Sequence, residues 1–261
     1  MSAPEAPESL PDDDGWIAEE SSSRYENLFA GHVLPILKFR RLPEGGYTPV
    51  AAAGTGFTFG EYTLVTCWHC VSGELAEDEV YGVAHRSEGL DQQGYDSVSV
   101  LVDLEQVGER DLALARIGIA VEPRLTLAEK PAGWGEDVIA CGYPLPQGVS
   151  DPFYRTMRLE SNATILKGYV TRLRLDDRPG WRPVRAYELD MPAPPGVSGS
   201  PLFRPLPLEV VGVVYREQDI TVPDSERVIY FAYAHHLTTL RAARAKATDD
   251  APLAEYLLRN V

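Results

Sequence analysis

Short apolar segments with the alternation typical of β-strands follow one another along most of the chain, and turns rich in glycine and proline separate them. The pattern predicts strands at residues 31–40, 53–59, 62–66, 79–85, 97–104, 111–117, 137–142, 163–175, 183–191, 209–215 and 227–234. A long series of short strands with turn signals between them is typical of a β-barrel or a pair of barrels.

Helical periodicity is convincing only near the end of the chain. In residues 236–247, the side chains of Leu237, Leu240, Arg244 and Ala247 recur at helical spacing and fall on one side of a helix. Asp250 is placed to cap a second short helix at residues 252–258. We expect these helices to pack on the barrel as a terminal clasp.

The composition is that of a soluble globular protein, and it excludes two classes of function. Of 261 residues, 44% are apolar and 24% are charged, and 39 acidic against 24 basic side chains give a formal net charge of −15. No apolar run approaches the roughly 18–20 residues that a membrane-spanning helix needs. Nucleic-acid affinity comes largely from Lys and Arg that displace counterions, so we do not expect this acidic chain to bind nucleic acid.

The first 26 residues form an acidic segment with eight carboxylates and one basic residue, Arg24, and they lack the features of a secretory signal. This charge pattern predicts a disordered or loosely attached arm at residues 1–25, ahead of a folded domain at residues 26–261. Three cysteines, Cys67, Cys70 and Cys141, are too few to staple a secreted chain of this length. We therefore expect the protein to reside in a reducing cytoplasm.

Ser198 lies in the segment PPGVSGSPLF at residues 194–203. A serine hydroxyl is a weak nucleophile until a base takes its proton, and the oxyanion that it creates needs fixed N–H donors. Because Gly196 has no Cβ, the backbone can turn its N–H towards the same point as the N–H of Ser198. The segment alone is equally consistent with an ordinary Gly/Ser turn between two strands.

His69 is the candidate base, in the segment LVTCWHCV at residues 64–71. It follows an apolar strand and precedes a polar turn, which places the imidazole at a strand end near the surface. The other histidines have ordinary interpretations. His32 and His85 lie inside alternating strands, and His235 and His236 stand at a strand-to-helix junction where capping explains them.

Asp111 begins the segment DLALARI at residues 111–117, which is apolar on both faces over its first half and is typical of a buried strand. A carboxylate at the head of a buried strand needs a partner. An imidazole N–H would satisfy it and would hold the ring in the tautomer that accepts a serine proton. The alternative is a turn residue that pairs with Arg110 or Lys130 at the surface.

These segments, together with the GTGF motif at residues 54–57, resemble the signature blocks of trypsin-like (chymotrypsin-fold) serine peptidases over roughly residues 30–234. The resemblance implies an all-β fold of two antiparallel six-stranded β-barrels, at residues 26–125 and 126–235, followed here by helices at 236–258. It also implies peptide hydrolysis through an acyl-enzyme without a cofactor. Position by position, His69 matches the general base, Asp111 the orienting acid and Ser198 the nucleophile, and the N–H groups of Gly196 and Ser198 match the oxyanion hole.

The chain departs from the family pattern around the nucleophile. Val197 replaces the usual Asp or Asn, which removes the ion pair that activates digestive members, and Ser200 replaces the last glycine of the usual run. Cys70 occupies a disulfide position whose partner, near Ala53, is not a cysteine. The family pattern places the floor of the specificity pocket at Pro192. The same pattern places Tyr215, Arg216 and Glu217 along one wall of the pocket. Glu217 and Asp190 are the nearby carboxylates that could recognise a basic residue of a substrate.

Three other interpretations remain open from the residues. An α/β-hydrolase esterase would use Ser198, Asp219 or Asp224, and His235, but prolines after the serine disfavour the helix that this fold requires there. A zinc site or a redox pair would use the Cys67–Cys70 spacing, with His69 and Cys141 completing a metal site. A catalytically silent binding module on the trypsin fold would keep all three residues. We favour an intracellular, bacterial serine endopeptidase that acts on proteins or peptides and is gated by a regulatory protein, by the acidic arm or by narrow specificity.

Overall fold

The computed structural model describes residues 29, 31–59, 62–85, 97–119, 125–144, 163–221 and 228–259. The acidic arm predicted for residues 1–25 lies outside these residues. Within the described residues the chain forms a curved sheet, a closed barrel and short C-terminal helices. The predicted all-β trypsin-like architecture is confirmed.

The first half of the fold is an antiparallel sheet with the strand order β5-β4-β1-β2-β3-β7-β6. Its strands are β1 (Val33–Arg41), β2 (Tyr47–Phe59), β3 (Thr63–Thr66), β4 (Glu79–His85), β5 (Ser97–Val100), β6 (Val102–Gln106) and β7 (Ala113–Arg116). Only Leu101 separates β5 from β6, yet these two strands form opposite edges of the sheet. The segment predicted as one strand at residues 97–104 therefore bends at Leu101, and the two edges of the sheet meet there.

The second half is a closed six-stranded barrel with the order β10-β13-β12-β11-β8-β9. Its strands are β8 (Asp137–Gly142), β9 (Thr164–Asp176), β10 (Val184–Leu189), β11 (Pro201–Pro205), β12 (Leu208–Thr221) and β13 (Val228–His236). The sequence pattern did not predict strand β11. Pro201 and Pro205 are the first and last residues of the strand, where proline is best tolerated in a sheet.

The two halves pack face to face through apolar side chains. The barrel has its own core around Tyr187, Leu189 and Leu202. A second buried cluster runs from the first sheet into the outer face of the barrel and includes Phe57 on one side and Phe203 on the other. Removing this much apolar surface from water fixes the two halves against each other, so residues at their boundary have defined positions.

The C-terminal segment contains α1 (Leu237–Arg241), a 3-10 turn at Lys246–Thr248 and α2 (Leu253–Arg259). The first helix is shorter than the predicted span of residues 236–247. The predicted capping role agrees with the position of His236, whose Nδ1 accepts the backbone N–H of Thr238 at the start of α1. Among the described residues, no helix has the length and apolar character required to cross a membrane.

Candidate active site

His69 lies on a 3-10 turn, Trp68–Cys70, that begins directly after β3. All four residues of β3 are buried, and the turn that follows carries the chain outwards at the boundary between the two halves. The imidazole of His69 therefore stays 41% exposed, although its neighbours Cys67 and Cys70 are buried.

Asp111 lies two residues before β7, and its side chain is only 1% exposed. Its Oδ2 accepts a hydrogen bond from Nδ1 of His69 at 2.9 Å, and its Oδ1 accepts the backbone N–H of His69 at 3.0 Å. The carboxylate thus faces the imidazole rather than Arg110 or Lys130. Because an ionised carboxylate only accepts, Nδ1 carries a proton, and in the neutral imidazole Nε2 is the nitrogen that can accept one.

Burial and hydrogen bonding act in opposite directions on this pair. Burial lowers the pKa of His69, but its hydrogen bonds to Asp111 and Cys70, together with their charges, outweigh burial and raise that pKa to about 10. Burial raises the pKa of Asp111, but the hydrogen bonds and charge of His69 dominate, so the net pKa of the carboxyl is lowered. The arrangement stabilises an imidazolium beside a carboxylate.

Ser198 lies on the loop between β10 and β11, against the residue that follows His69. Its carbonyl oxygen accepts the backbone N–H of Thr55 at 2.9 Å and the thiol of Cys70 at 3.5 Å. Its hydroxyl donates to the carbonyl oxygen of Tyr215 at 3.4 Å. In the described part of the chain this hydroxyl makes no hydrogen bond to His69.

The turn before Ser198 leaves two N–H groups unoccupied. The N–H of Val197 donates to the carbonyl of Pro194 at 3.1 Å, and Gly196 has a φ of +96°. This is a type II turn, in which Pro195 suits the second position and glycine the third. Within the described residues, the N–H groups of Gly196 and Ser198 have no acceptor from the protein. An incoming oxyanion is the kind of acceptor that such a pair can bind.

The residues predicted to form a specificity pocket lie around the same loop. Pro192 is exposed, and Tyr215 is buried with its carbonyl at the Ser198 hydroxyl. The carboxylate of Glu217 accepts a hydrogen bond from the backbone N–H of Ala193 at 2.9 Å, so this carboxylate is bonded to the loop that carries Ser198. Arg216 donates to the side-chain oxygen of Gln218 at 3.1 Å.

The group of potential metal ligands at this site differs from the zinc site that the sequence suggested. Cys67, His69 and Asp111 are grouped, with one donor atom of each within 4.8 Å of the others, whereas Cys70 and Cys141 are not members of that group. Burial raises the pKa of the Cys67 thiol, which donates to the carbonyl of Val214 at 3.3 Å. Zinc binds the thiolate, so a thiol that stays protonated is a poor ligand for zinc. All three cysteines are free.

Sequence reasoning missed three residues that support the site. Thr55 connects the first sheet to the serine loop, and Arg178 approaches Asp111 from the loop between β9 and β10. His235 is fully buried and its Nε2 donates to the backbone carbonyl of Asp111 at 2.8 Å. Of these three residues, only Thr55 lies in a sequence motif, GTGF, that pointed to the site. Arg178 and His235 reach Asp111 from distant parts of the chain.

Comparisons with known proteins relate the chain to peptidases. The sequence profile of the trypsin-like peptidase domain matches residues 54–213. The fold is similar to the active form of the Rv3671c protease from M. tuberculosis, with a TM-score of 0.55, 18% identity, and coverage of 92% of this chain and 91% of that chain. It is also similar to Deg5, with a TM-score of 0.55, 18% identity, and coverage of 89% and 93%. No curated protein sequence matches the chain significantly.

Proposed function

The chain belongs to the trypsin-like peptidase family, since the family profile matches more than half of it, and from this premise we propose a serine endopeptidase that acts through Ser198, His69 and Asp111. The observation that carries the proposal is the double hydrogen bond from His69 to the buried carboxylate of Asp111. It fixes the tautomer in which Nε2 can accept a proton.

In the proposed reaction the Ser198 hydroxyl rotates from Tyr215 towards Nε2 of His69 and attacks the carbonyl carbon of the scissile peptide bond. His69 takes the hydroxyl proton and later gives it to the leaving amine, while Asp111 stays ionised and stabilises the imidazolium. The acyl-enzyme is then hydrolysed by water, which His69 activates in the same way.

The developing oxyanion would be bound by the N–H groups of Gly196 and Ser198. Two features support this role: the positive φ of Gly196 and the lack of a protein acceptor for either N–H among the described residues. Such donors need no reorganisation when charge develops, which is why they stabilise the transition state more than the substrate. No cofactor is required by this mechanism.

Cleavage preference would be set by Pro192 at the pocket floor with Tyr215, Arg216 and Glu217 along one wall, as the family pattern implies. The engagement of Glu217 with the backbone of Ala193 argues against this carboxylate as the counter-charge for a basic substrate residue.

Partner gating and a cytoplasmic location complete the proposal. An unrestrained protease would damage the cell that makes it, so we expect a regulatory protein, the acidic arm or a narrow cleavage sequence to limit activity. Deleting residues 1–25 and assaying a peptide library tests the arm. An unchanged rate and specificity would reject it as the restraint.

The central test is covalent labelling of the purified chain with a fluorophosphonate, which reacts with an activated serine. We expect one adduct on Ser198, and its loss in Ser198→Ala and in His69→Gln. The matched control is Ser200→Ala, which removes the neighbouring buried hydroxyl and should keep the adduct. The same variants, co-expressed with candidate proteins, would identify substrates that lose their full-length band only when Ser198 is intact.

A silent binding module on the same fold is the second candidate, and one observation favours it: the Ser198 hydroxyl points at Tyr215 rather than at His69. Such a module would bind peptides without cleaving them. Absence of a fluorophosphonate adduct under all pH conditions, combined with measurable peptide binding, would support the module and contradict the peptidase.

A further inference from the structure

A positive charge lies beside the carboxylate of Asp111 in addition to the imidazole. Nη2 of Arg178 is 3.5 Å from Oδ2 of Asp111, the same oxygen that accepts Nδ1 of His69 at 2.9 Å. Asp111 is 1% exposed and Arg178 is 21% exposed, so water screens this contact only in part. The carboxylate is therefore shared between two cationic partners whenever His69 is protonated.

Arg178 is held in this position from several directions. Its Nε donates to Oδ2 of Asp176 at 2.8 Å, and that oxygen also accepts the hydroxyl of Tyr215 at 2.8 Å. The guanidinium carbon lies 4.5 Å from the centre of the Tyr215 ring and 5.6 Å from that of Trp181. A planar cation fixed by a carboxylate and two aromatic faces is preorganised, and it loses little further freedom when it pairs.

The loop that carries Arg178 also contacts the loop that carries Asp111. Arg178 lies between β9 and β10 of the barrel, and the N–H of Arg182 in the same loop donates to the carbonyl of Glu109 at 2.9 Å. This hydrogen bond joins the barrel to the first sheet two residues before Asp111. The position of the guanidinium is thus coupled to the relative placement of the two halves.

We propose that Arg178 is a positioning residue that shares the Asp111 carboxylate with His69 and so limits the stabilisation of the imidazolium. The inference rests on the proposed function, since it assigns a role to the basicity of His69. A base that holds its proton too strongly is already protonated at neutral pH and cannot accept one from serine. By drawing on the same carboxylate, Arg178 keeps a larger fraction of His69 in the neutral form.

Other ionisable groups lie near this pair, and apart from Asp176 they are the same in all the variants that change Arg178. Those that face His69, Asp111 or Arg178 from the packed elements are Cys67, Cys70, Asp176, Tyr215 and His235. The role of Asp176 must be separated from that of Arg178, because removing Arg178 alone leaves the Asp176 carboxylate without its cation.

The test is an NMR titration of His69 in the full chain, in a Ser198→Ala background that prevents self-cleavage. His69→Gln identifies the resonance. In Arg178→Gln we expect the midpoint of the His69 titration to move to higher pH by about one unit, as for loss of a nearby cation. Arg178→Lys should restore part of the shift. Arg178→Gln combined with Asp176→Asn, compared with Asp176→Asn alone, tests the charge of Arg178 without leaving Asp176 unpaired. The control, Arg172→Gln, removes a cation that pairs with Glu188 instead.

Kinetics with Ser198 intact give an independent measurement. On the rising limb of the pH profile of kcat/KM, a shift of one unit lowers the rate of Arg178→Gln about tenfold at each pH. An unchanged His69 titration in both the single and the double variant would overturn the inference even if the enzyme is active. A shifted titration in a chain without peptidase activity would support the charge sharing and contradict the proposed function.

Discussion

Thr55 shows how one side chain connects the first sheet to the serine loop. Its hydroxyl donates to the carbonyl of Gly196 at 2.8 Å and accepts the N–H of Tyr143 at 2.9 Å, and its own N–H donates to the carbonyl of Ser198 at 2.9 Å. These bonds fix the peptide planes on both sides of the candidate nucleophile. The side chain is fully buried, so water cannot replace a lost hydrogen bond easily.

Replacing Thr55 with valine keeps the volume of the side chain but removes the hydroxyl. The carbonyl of Gly196 and the N–H of Tyr143 then lose a buried partner, and the turn that presents the Gly196 N–H is free to shift. We expect kcat to fall about 10- to 100-fold with little change in KM, because the lost contacts act on the transition state. Thr55→Ser, which keeps the hydroxyl, is the control, and a Thr55→Val enzyme with unchanged kcat would contradict this role.

The residues that carry local motifs were predictable, and those that act through distant contacts were not. His69 follows an apolar segment, Asp111 begins one, and Ser198 lies in a segment rich in glycine and serine. The structure brings His69 and Asp111 into contact, and their catalytic roles remain predictions. Arg178 and His235 contact Asp111 across 67 and 124 positions of sequence, and nothing in their own segments indicates it.

At the scale of elements, alternation located most strands but not their ends. Strands β4 and β8 occupy the predicted residues, whereas β12 extends to Thr221 beyond the predicted end at residue 215. From Gln218 onwards β12 pairs with the part of β13 that lies beyond the pairing of β13 with β10. Asp219 and Ile220 are both exposed there, so this part of the strand has no buried face that would produce apolar alternation. The helical pattern likewise overestimated the length of α1, which was predicted over residues 236–247 and spans Leu237–Arg241. Tertiary contacts, rather than local sequence, decide where a short helix ends.

The second helix provides a prediction about stability. Leu253 at the start of α2 is completely buried, whereas Leu258 near its end is 76% exposed. Leu253→Ala leaves a cavity, and we expect it to lower the free energy of unfolding by about 2–4 kcal/mol. Leu258→Ala should change it by less than about 0.5 kcal/mol. Urea denaturation of both variants measures the difference, and equal values would show that α2 does not anchor the fold.

For the whole molecule, the C-terminal segment is the element that returns to the first sheet. Arg116 on β7 donates to the carbonyl of Lys246 at 2.9 Å and pairs with Asp249 at 2.6 Å. The N–H of Lys246 donates to Glu105 on β6 at 3.0 Å. The predicted terminal clasp therefore reaches past the barrel to the other half, and it fastens the two halves whose boundary holds the candidate site.

Two histidines at that boundary predict how the stability of the whole fold depends on pH. Burial lowers the pKa of His235 to about 4, below its ordinary value of 6.5, so its contribution is present above pH 6.5 and is lost as pH falls towards 4. The raised pKa of His69, about 10, has the opposite effect, and its contribution is complete below pH 6.5 and is lost as pH rises through 10. These two opposite effects place the maximum of stability near pH 6.5.

Urea unfolding between pH 4 and 10, in a Ser198→Ala background, measures this profile. The acid limb from His235 is expected to be about 3 kcal/mol, since each pKa unit corresponds to about 1.4 kcal/mol. Burial also lowers the pKa of His236 and raises those of Cys67 and Cys141, so these groups add to the two limbs. His235→Gln should therefore reduce the acid limb and leave the alkaline limb unchanged, and His69→Gln should do the reverse. His85→Gln, on strand β4, is the control and should leave both limbs intact. An acid limb of unchanged size in His235→Gln would show that other groups cause it, and that the buried imidazole under Asp111 is not what limits stability in acid.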